Sequence, residues 1–342
     1  MPPASRGRNT RLIAGAAITA LFALFAIFAD LLAPYDYAAQ SRSMPRAPAS
    51  RLHFENGRPV IYEARLTDPL RFGYEEDRSR GYPIGLFVRS DTYNFLGLFV
   101  TDIHLFGVDA DGDGPRLHLL GTDALGRDRF SRLVHAVRFS LIVAPLGMLL
   151  ASFIGVLIGV ASGYASRGVD TFLMGSADAM LALPALILIL AARAAFPLEL
   201  PPLSAGVLLV AIFAAVGWAE MARLARSLVR SMREREFVLA AKASGLTGPR
   251  ILFRHILPNI ARPLVTQATL ILPAFLLAEV ALSFLGVGLQ EPVPSLGNML
   301  AAAADITQLR SRPALLLSPA IAIFLFIMGV RLMADGLDRF RR

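Results

Sequence analysis

Six long apolar runs divide this chain, and they constrain its fold more than any other feature of the sequence. They cover residues 12–33, 139–164, 171–195, 203–222, 263–287 and 313–334. A hydrocarbon core of ~30 Å requires roughly 20 apolar residues per helix, and each run has about that length. Apolar residues make up 55% of the 342 residues, more than a soluble domain of this size keeps out of water. The sequence therefore predicts an all-α integral membrane protein with six spans.

Charge is distributed unevenly along the chain. Residues 36–130 hold 12 Arg and 14 Asp or Glu, a net charge of −2. Because the whole chain has a net charge of +8, the residues outside this segment carry +10. Eight Arg and Lys242 lie in the loop 223–262, and further basic residues flank the first and last runs at Arg6, Arg8, Arg11, Arg339, Arg341 and Arg342. Basic loops stay in the cytoplasm, so both termini and this loop are predicted to be cytoplasmic.

The first run could instead be read as a cleaved signal peptide. It is longer than the roughly 7–15 apolar residues of a signal-peptide core. Phe22, Phe25 and Phe28 also occupy its later half, where a cleavage site requires small residues. We therefore expect a retained span.

Three regions follow from this pattern. Residues 1–34 form a cytoplasmic arm and the first helix. Residues 35–138 form a polar insert outside the cytoplasm that ends in an interfacial helix at 129–138, and 139–342 form a five-helix core that contains the loop 223–262. Within the insert, the segment 84–104 is β-prone because it contains Leu86, Phe87, Val88 and the run 95–100. We expect this segment to form strands and to pack a small core.

Several classes of function are excluded by the composition. The chain has no cysteine, which rules out thiolate metal sites and cysteine nucleophiles. Its one lysine, Lys242, follows alanine rather than the glycine of a phosphate-binding loop, so the chain is not itself a P-loop ATPase. Neither a Gly-x-Ser-x-Gly elbow nor a His-Glu-x-x-His helix is present. No catalytic residue is therefore predicted.

Residues 109–114, Asp-Ala-Asp-Gly-Asp-Gly, match the first half of a calcium loop. The twelfth position is Leu120 instead of the bidentate glutamate, so a solvated turn is favoured over weak calcium binding.

Two carboxylates, Asp178 and Glu279, are predicted to be buried within spans, whereas Arg193 and Glu220 lie near span ends and can extend towards water. Interhelical hydrogen bonding and an ion relay both remain open for the carboxylates. Gly155, Gly159 and Gly163 recur every four residues, which favours close helix packing, with a dimer seam as the alternative.

The loop 223–262 predicts a compact elbow. A short helix over 236–244 stops at Gly245, and a second helix restarts after Gly248-Pro249 and ends at Pro258. Small residues on such an elbow allow it to seat in a groove of another protein. The alternative is a solvated basic loop on anionic lipid, against which apolar residues such as Phe237 argue.

The motifs of this loop identify a family. Residues 236–246, Glu-Phe-Val-Leu-Ala-Ala-Lys-Ala-Ser-Gly-Leu, and 254–259, Arg-His-Ile-Leu-Pro-Asn, resemble the EAA loop of ABC importer permeases of the dipeptide, oligopeptide and nickel group. Residues 119–132, with Gly-Thr-Asp, Gly-Arg-Asp and Ser-Arg, and residues 279–300, with Glu-Val-Ala-Leu-Ser-Phe-Leu-Gly and Pro-Ser-Leu-Gly-Asn-Met-Leu, are similar to two further stretches of that group. The N-terminal span fits the C-type subunit.

The sequence departs from the family pattern in two ways. Within the loop, Leu239 replaces the glutamate that names it and His255 replaces a hydrophobic residue, and both are common variations that leave docking to the ATPase expected. Leu296 replaces the usual tryptophan and the polar region 36–116 is longer than typical, which concerns the substrate more than the mechanism.

The resemblance implies the six-helix type I importer (MetI-like) fold and a coupling helix at 237–247, seated in a cleft of a separate ATPase subunit. Its implied coupling residues are Phe237, Leu239, Ala240, Ala241, Gly245, Leu257, Pro258 and Asn259. The implied partners are a homologous permease, two ATPase subunits and an extracytoplasmic solute-binding protein. ATP and Mg²⁺ would bind the ATPases, with no cofactor on this chain.

An outer-face motif consists of Gly121, Thr122, Asp123, Gly126, Arg127 and Asp128. It is expected either to contact the solute-binding protein or to cap the next helix with Asp123 and Arg127 paired. The resemblance also favours a packing role for Asp178, which precedes Leu183-Pro184. An ion-coupled secondary transporter and a membrane-anchored sensor are the rival functions.

Overall fold

The computed structural model describes residues 6–108, 114–304 and 314–340, with side chains described for 10–108, 114–304 and 316–336. The predicted calcium loop lies outside the described residues apart from Gly114. The chain forms two compact units. One contains the residues up to Ala17, Ile142–Leu282 and the residues from Ile327; the other contains Ile18–Leu141 and Ser283–Phe326. The segment Ser283–Phe326 thus groups with the insert.

Helices account for most of the chain. In order they are α1 (Arg6–Ile27), α2 (Ala29–Leu32), α3 (Arg129–Tyr164), α4 (Arg167–Leu181), α5 (Ala185–Ala194), α6 (Pro202–Arg233), α7 (Glu236–Ala243), α8 (Gly248–Ile251), α9 (Leu257–Phe284), α10 (Leu296–Ala302) and α11 (Ala314–Phe340). Among the described residues, five helical stretches are long and apolar enough to span a membrane: Thr10–Ile27, Arg129–Tyr164, Pro202–Arg233, Gly248–Phe284 and Leu316–Gly336.

The sequence predicts one span at 171–195, but the structure has two helices there instead of one continuous helix. They are α4 and α5, which meet at an angle of 87°. The break falls at Pro184, which has no backbone N–H to continue the helix and restricts the residue before it. The count of six spans holds only if this bent pair crosses once.

The glycine repeat on α3 packs within the chain. A Cβ atom added to Gly155 would lie 2.6 Å from Cβ of Met221, and one added to Gly159 would lie 2.7 Å from Cβ of Ala225. Gly163 faces Val229 in the same way. All three contacts are with α6, so the packing interpretation is confirmed and the glycines are not available for a dimer seam.

The insert contains four antiparallel strands in the order β1 (His53–Glu55), β2 (Arg58–Asp68), β3 (Gly73–Phe95) and β4 (Phe99–Val108). The long strand β3 pairs with β2 through its first half, with Ile61 opposite Tyr82, and with β4 through its second half, with Val88 opposite His104. The strands predicted at 84–104 are confirmed, although the sheet begins about thirty residues earlier, at His53.

The predicted core at 84–104 is wrong. Leu86, Phe87 and Val100 expose 73%, 65% and 72% of their surface, whereas the buried apolar residues of the sheet are Val60 and Ile61. The strands form as their β-branched and aromatic residues dictate, but burial requires a second layer of structure. On the half of the sheet formed by β3 and β4, the segment around α2 packs on the side that carries His104, which is buried. Leu86, Phe87 and Val100 lie outside that contact and stay exposed.

Candidate functional site

The short helix α7 ends in a left-handed turn at Gly245. Gly245 has a φ of +77°, and its N–H donates to the carbonyl of Lys242 at 3.0 Å. The N–H of Leu246 donates to the carbonyl of Ala241 at 3.2 Å. These two bonds form a Schellman motif, in which the residue after the helix must adopt a conformation that favours glycine. The helix over 236–244 and its stop at Gly245 are therefore confirmed, and the second helix begins at Gly248, two residues earlier than predicted.

One face of α7 packs on the chain and the other is open. Val238 is fully buried and Ala241 is 7% exposed, whereas Phe237 and Leu239 are 45% and 50% exposed. Ala240 is also exposed. The open face therefore presents the apolar Phe237, Leu239 and Ala240 beside the exposed charges of Glu236 and Lys242. Ala241 points into its own chain, unlike the outward role that the resemblance implied for it.

The prediction that the second helix ends at Pro258 is wrong. A π-helical turn at Leu252–Ile256 follows α8, and α9 then begins at Leu257 and continues to Phe284. Pro258 occupies the first turn of α9, where a missing N–H is tolerated. Asn259 donates from Nδ2 to the carbonyl of His255 at 2.6 Å and so lies at this junction. The π-helical turn also presents Phe253, which is 69% exposed and which the sequence analysis did not single out.

An ion cluster around one carboxylate, Asp170, lies at the end of α6 that leads into α7. Asp170 on α4 accepts hydrogen bonds from Nε of Arg226 at 2.5 Å and Nη2 at 2.7 Å, from Nη2 of Arg230 at 2.7 Å and from Oγ of Ser162 at 2.5 Å. Only 5% of Asp170 is exposed. Arg233, at the last residue of α6, donates to the carbonyl of Gly163 at 2.5 Å. We call Asp170, Arg226 and Arg230 the Asp170 clamp.

Sequence reasoning missed this clamp, although a signal was present. Arg226, Arg230 and Arg233 are spaced by four and three residues, so they lie on one face of a helix. Three cations on one face close to apolar helices indicate that an anionic partner lies opposite. Asp170, in the short connection between two predicted spans, was the available carboxylate.

The two predicted intramembrane carboxylates differ. Glu279 is fully buried, as expected. Asp178 is not buried: its side chain is 61% exposed and lies 3.4 Å from Nη1 of Arg223, which is 57% exposed. The expectation for Asp178 was wrong because the face of α4 that carries it lies away from the interior of its unit.

Arg193 also differs from its prediction. It is fully buried rather than extended towards water, and its guanidinium donates to the carbonyls of Phe196, Pro197 and Leu198 at 3.3, 3.0 and 3.2 Å. The side chain therefore binds the loop that follows α5, whose carbonyls lie outside the helix and need donors. Glu220 is exposed as expected and accepts a hydrogen bond from Gln267 at 3.2 Å.

The outer-face motif builds the start of α3. Asp128 accepts from the N–H of Ser131 at 2.7 Å, which is the capping bond of a helix N-terminus, and its other oxygen lies 2.8 Å from Nδ1 of His118. Thr122 accepts from the N–H of Ala47 at 2.7 Å and donates to the carbonyl of Met44 at 2.6 Å. Both motif side chains are buried.

Asp123 and Arg127 are paired, as the capping interpretation predicted. Nε of Arg127 lies 2.6 Å from Asp123, and Nη1 lies 2.5 Å from Glu291. Glu291 also accepts from Nη2 of Arg132 at 2.9 and 3.1 Å. Burial lowers the pKa of Arg127, but Asp123 and Glu291 more than offset this and raise it above the ordinary arginine value. The arginine is charged at every working pH.

Two glycines of the motif have positive φ, +71° at Gly121 and +74° at Gly126. A Cβ atom at Gly126 would collide with the carbonyl of Ser41, so the chain approaches closely here. The motif is therefore largely buried and holds the start of α3 in place, whereas Leu125 within it is 49% exposed.

The third motif stretch starts α10 with a capping box. Oγ of Ser295 accepts from the N–H of Asn298 at 3.0 Å, and the N–H of Ser295 donates to Oδ1 of Asn298 at 2.9 Å. Leu296, which replaces the usual tryptophan, is buried.

Comparison with known proteins agrees with these motifs. Residues 155–342 match the family described as binding-protein-dependent transport system inner membrane component, and residues 8–49 match the N-terminal TM domain of oligopeptide transport permease C. The dipeptide transport system permease protein DppC of Alkalihalophilus pseudofirmus is 39% identical over 64% of this chain and 70% of its own length. The oligopeptide transport system permease protein OppC of Mycobacterium bovis is 35% identical over 64% and 74%.

Among solved structures, the inward-facing MetNI methionine ABC transporter matches with a TM-score of 0.46 and 16% identity, over 62% of this chain and 95% of that chain. The family model covers more than half of the chain. This chain belongs to the family of binding-protein-dependent transport system inner membrane components, and it is a membrane-spanning permease subunit rather than an enzyme.

Proposed function

We propose that this chain is the C-type permease subunit of a peptide importer in the bacterial inner membrane, driven by separate ATPase subunits that bind α7. The observation that carries this proposal is the open apolar face of α7, formed by Phe237, Leu239 and Ala240. Exposed apolar side chains held on a fixed helix favour a protein partner. Peptides are proposed as substrates because the relatives are named as dipeptide and oligopeptide permeases.

The Asp170 clamp supplies the mechanical connection. Only two residues separate the end of α6 at Arg233 from the start of α7 at Glu236. Asp170 joins the same end of α6 to α4 through charge-assisted hydrogen bonds, which resist separation. A displacement of α7 by an ATPase would therefore move α6 and α4 together, as rigid-body gating requires.

The proposed assembly pairs this chain with a homologous permease and places both termini and α7 on the cytoplasmic side. The basic residues of the loop 223–262 favour that orientation, and the balance of −2 over residues 36–130 favours an insert outside. ATP and Mg²⁺ would be held by the ATPase subunits. A solute-binding protein would deliver the substrate from the insert side.

The rival function, an ion-coupled secondary transporter, requires carboxylates buried in the membrane. Asp178 is mostly exposed and paired with Arg223, which leaves Glu279 as the one buried candidate of the pair. A relay needs more than one such group, so the structure favours the ATP-driven proposal over this rival.

The proposal is tested with two matched glycine variants. Gly245 and Gly248 both have open space around their Cα atoms, but only Gly245 has a positive φ. Gly245→Val should therefore distort the end of α7 at a cost of roughly 1–2 kcal/mol, whereas Gly248→Val should not. Each ~1.4 kcal/mol corresponds to a factor of about ten in an equilibrium constant, here that of ATPase binding to α7. Uptake of a labelled dipeptide by cells should therefore fall about tenfold for Gly245→Val alone.

The amount of each variant in the membrane is measured in parallel, so that loss of insertion is distinguished from loss of transport. Equal uptake by the two variants at equal membrane content would contradict the coupling role of α7.

A further inference from the structure

The tip of the β3–β4 hairpin is an exposed apolar surface without charge. Residues 92–101 contain no charged side chain, and Asp91 and Asp102 flank them. Leu98 and Val100 expose 76% and 72% of their surface, and Phe99 exposes 56%. Water-facing hairpin ends are normally polar, so this composition requires an explanation.

The turn itself departs from the chemistry of a water-facing hairpin. Leu96 and Gly97 have φ values of +50° and +75°, and the N–H of Leu98 donates to the carbonyl of Phe95 at 2.9 Å. Two successive positive φ values favour Asn-Gly or Asp-Gly, since a bulky L-residue is strained there. The leucine at position 96 opposes its local backbone preference, and its 51% exposure shows that packing within the chain does not account for it.

The position of the hairpin relates this tip to the membrane. The apolar span Thr10–Ile27 ends just before Phe28, whose ring lies 6.0 Å from that of Phe95. His104, five residues further along β4 than Phe99, lies 2.5 Å from the carbonyl of Ala33, five residues beyond Phe28. The chain moves away from the span from Phe28 to Ala33. Because Ala33 contacts His104 and Phe28 contacts Phe95, the hairpin runs in the opposite direction, back towards the span, from His104 to its tip.

Charged groups cluster near His104 and Ala33, at the end of the hairpin away from its tip. The carboxylate of Asp91 accepts from the N–H of Asp36 at 3.1 Å and lies 3.8 Å from Arg116. The carbonyl of Asp91 lies 2.8 Å from Nε2 of His104, so this charge is level with Ala33. The charged groups therefore lie beyond Phe28 and Phe95 from the tip, and this order of apolar, aromatic and charged residues is typical of membrane interfaces.

We propose that the hairpin tip, formed by Leu96, Leu98, Phe99 and Val100, inserts among lipid acyl chains in the leaflet at the Phe28 end of the first span. Continuity with that span identifies lipid as the occupant. That this leaflet is the outer one rests on the proposed function. The inserted tip gives the insert a second attachment to the bilayer beside the first span.

The chain contains no cysteine, so single nitroxide labels report one position each. Leu98→Cys is the test position, and Leu70→Cys is the control, because Leu70 is 93% exposed in the turn at the other end of β3. The full-length labelled chain is reconstituted in vesicles of phosphatidylethanolamine and phosphatidylglycerol. Collision of the label with oxygen, which concentrates in hydrocarbon, is compared with collision with a water-soluble nickel chelate.

The label at Leu98 should collide with the nickel chelate severalfold less than the label at Leu70, and with oxygen severalfold more. Equal nickel collision at the two positions would overturn the proposal. Low collision with both reagents at Leu98 would also overturn it, because that result indicates a covering protein. Phe99→Cys repeats the measurement if Leu98→Cys fails to insert. Dipeptide uptake plays no part in the readout, so this proposal and the transport proposal fail independently.

Discussion

Glu291 neutralises two buried guanidinium groups from a distant part of the chain. Arg127 and Arg132 are 7% and 3% exposed, and both bind this one carboxylate. Asp123 is their other anionic neighbour, at 2.6 Å from Arg127 and 3.8 Å from Arg132. The side chain of Glu291 is 50% exposed, so solvent screens part of the interaction. Its role is to let two arginines remain buried beside the start of α3.

Glu291→Gln should therefore destabilise the chain by roughly 1–2 kcal/mol, below the full cost of breaking a buried ion pair because the carboxylate is half exposed. The control is Glu199→Gln at an exposed position, for which the change should stay within about 0.5 kcal/mol. Thermal unfolding of the purified chain in detergent measures both. Equal midpoints for the two variants would show that Asp123 alone satisfies the arginines.

The Asp170 clamp determines how α4 and α6 behave as elements. Asp178 lies on the same helix as Asp170 and also pairs with an arginine of α6, but that pair is exposed on both sides. The two aspartates therefore form a matched comparison between a buried carboxylate that binds two partly exposed arginines and an exposed carboxylate that binds one. The Asp170 clamp should resist separation of the helices more strongly, because fully exposed pairs contribute at most about 1 kcal/mol.

Asp170→Asn should lower dipeptide uptake strongly and reduce stability by roughly 1–2 kcal/mol, because Arg226 and Arg230 lose their shared counter-charge but are partly screened by solvent. Asp178→Asn should change stability by less than about 1 kcal/mol. ATPase subunits should still co-purify with Asp170→Asn, since α7 keeps its exposed face. If the two aspartate variants have the same uptake and the same unfolding midpoint, the clamp has no mechanical role.

Across the whole molecule, the sequence predicted features that depend on neighbouring residues. Span length is a local property, and the stop at Gly245 follows from the one residue type that readily adopts a positive φ. Burial in the insert was not predictable, because Leu86 and Phe87 satisfy strand propensity whether or not another layer covers them. The partners of Asp170 and Glu291 lie 56 and 164 residues away, beyond the reach of any local pattern.

Binding of a separate ATPase by the open face of α7 can be measured by co-purification. The tagged chain carrying both Phe237→Asp and Leu239→Asp is compared with the unmodified chain and with Leu70→Asp, a charge placed at an exposed leucine of the insert. Buried charges without partners oppose association, so the α7 variant should lose the ATPase subunits while the other two chains retain them. Retention of the ATPases by the α7 variant at the level of the unmodified chain would contradict the account.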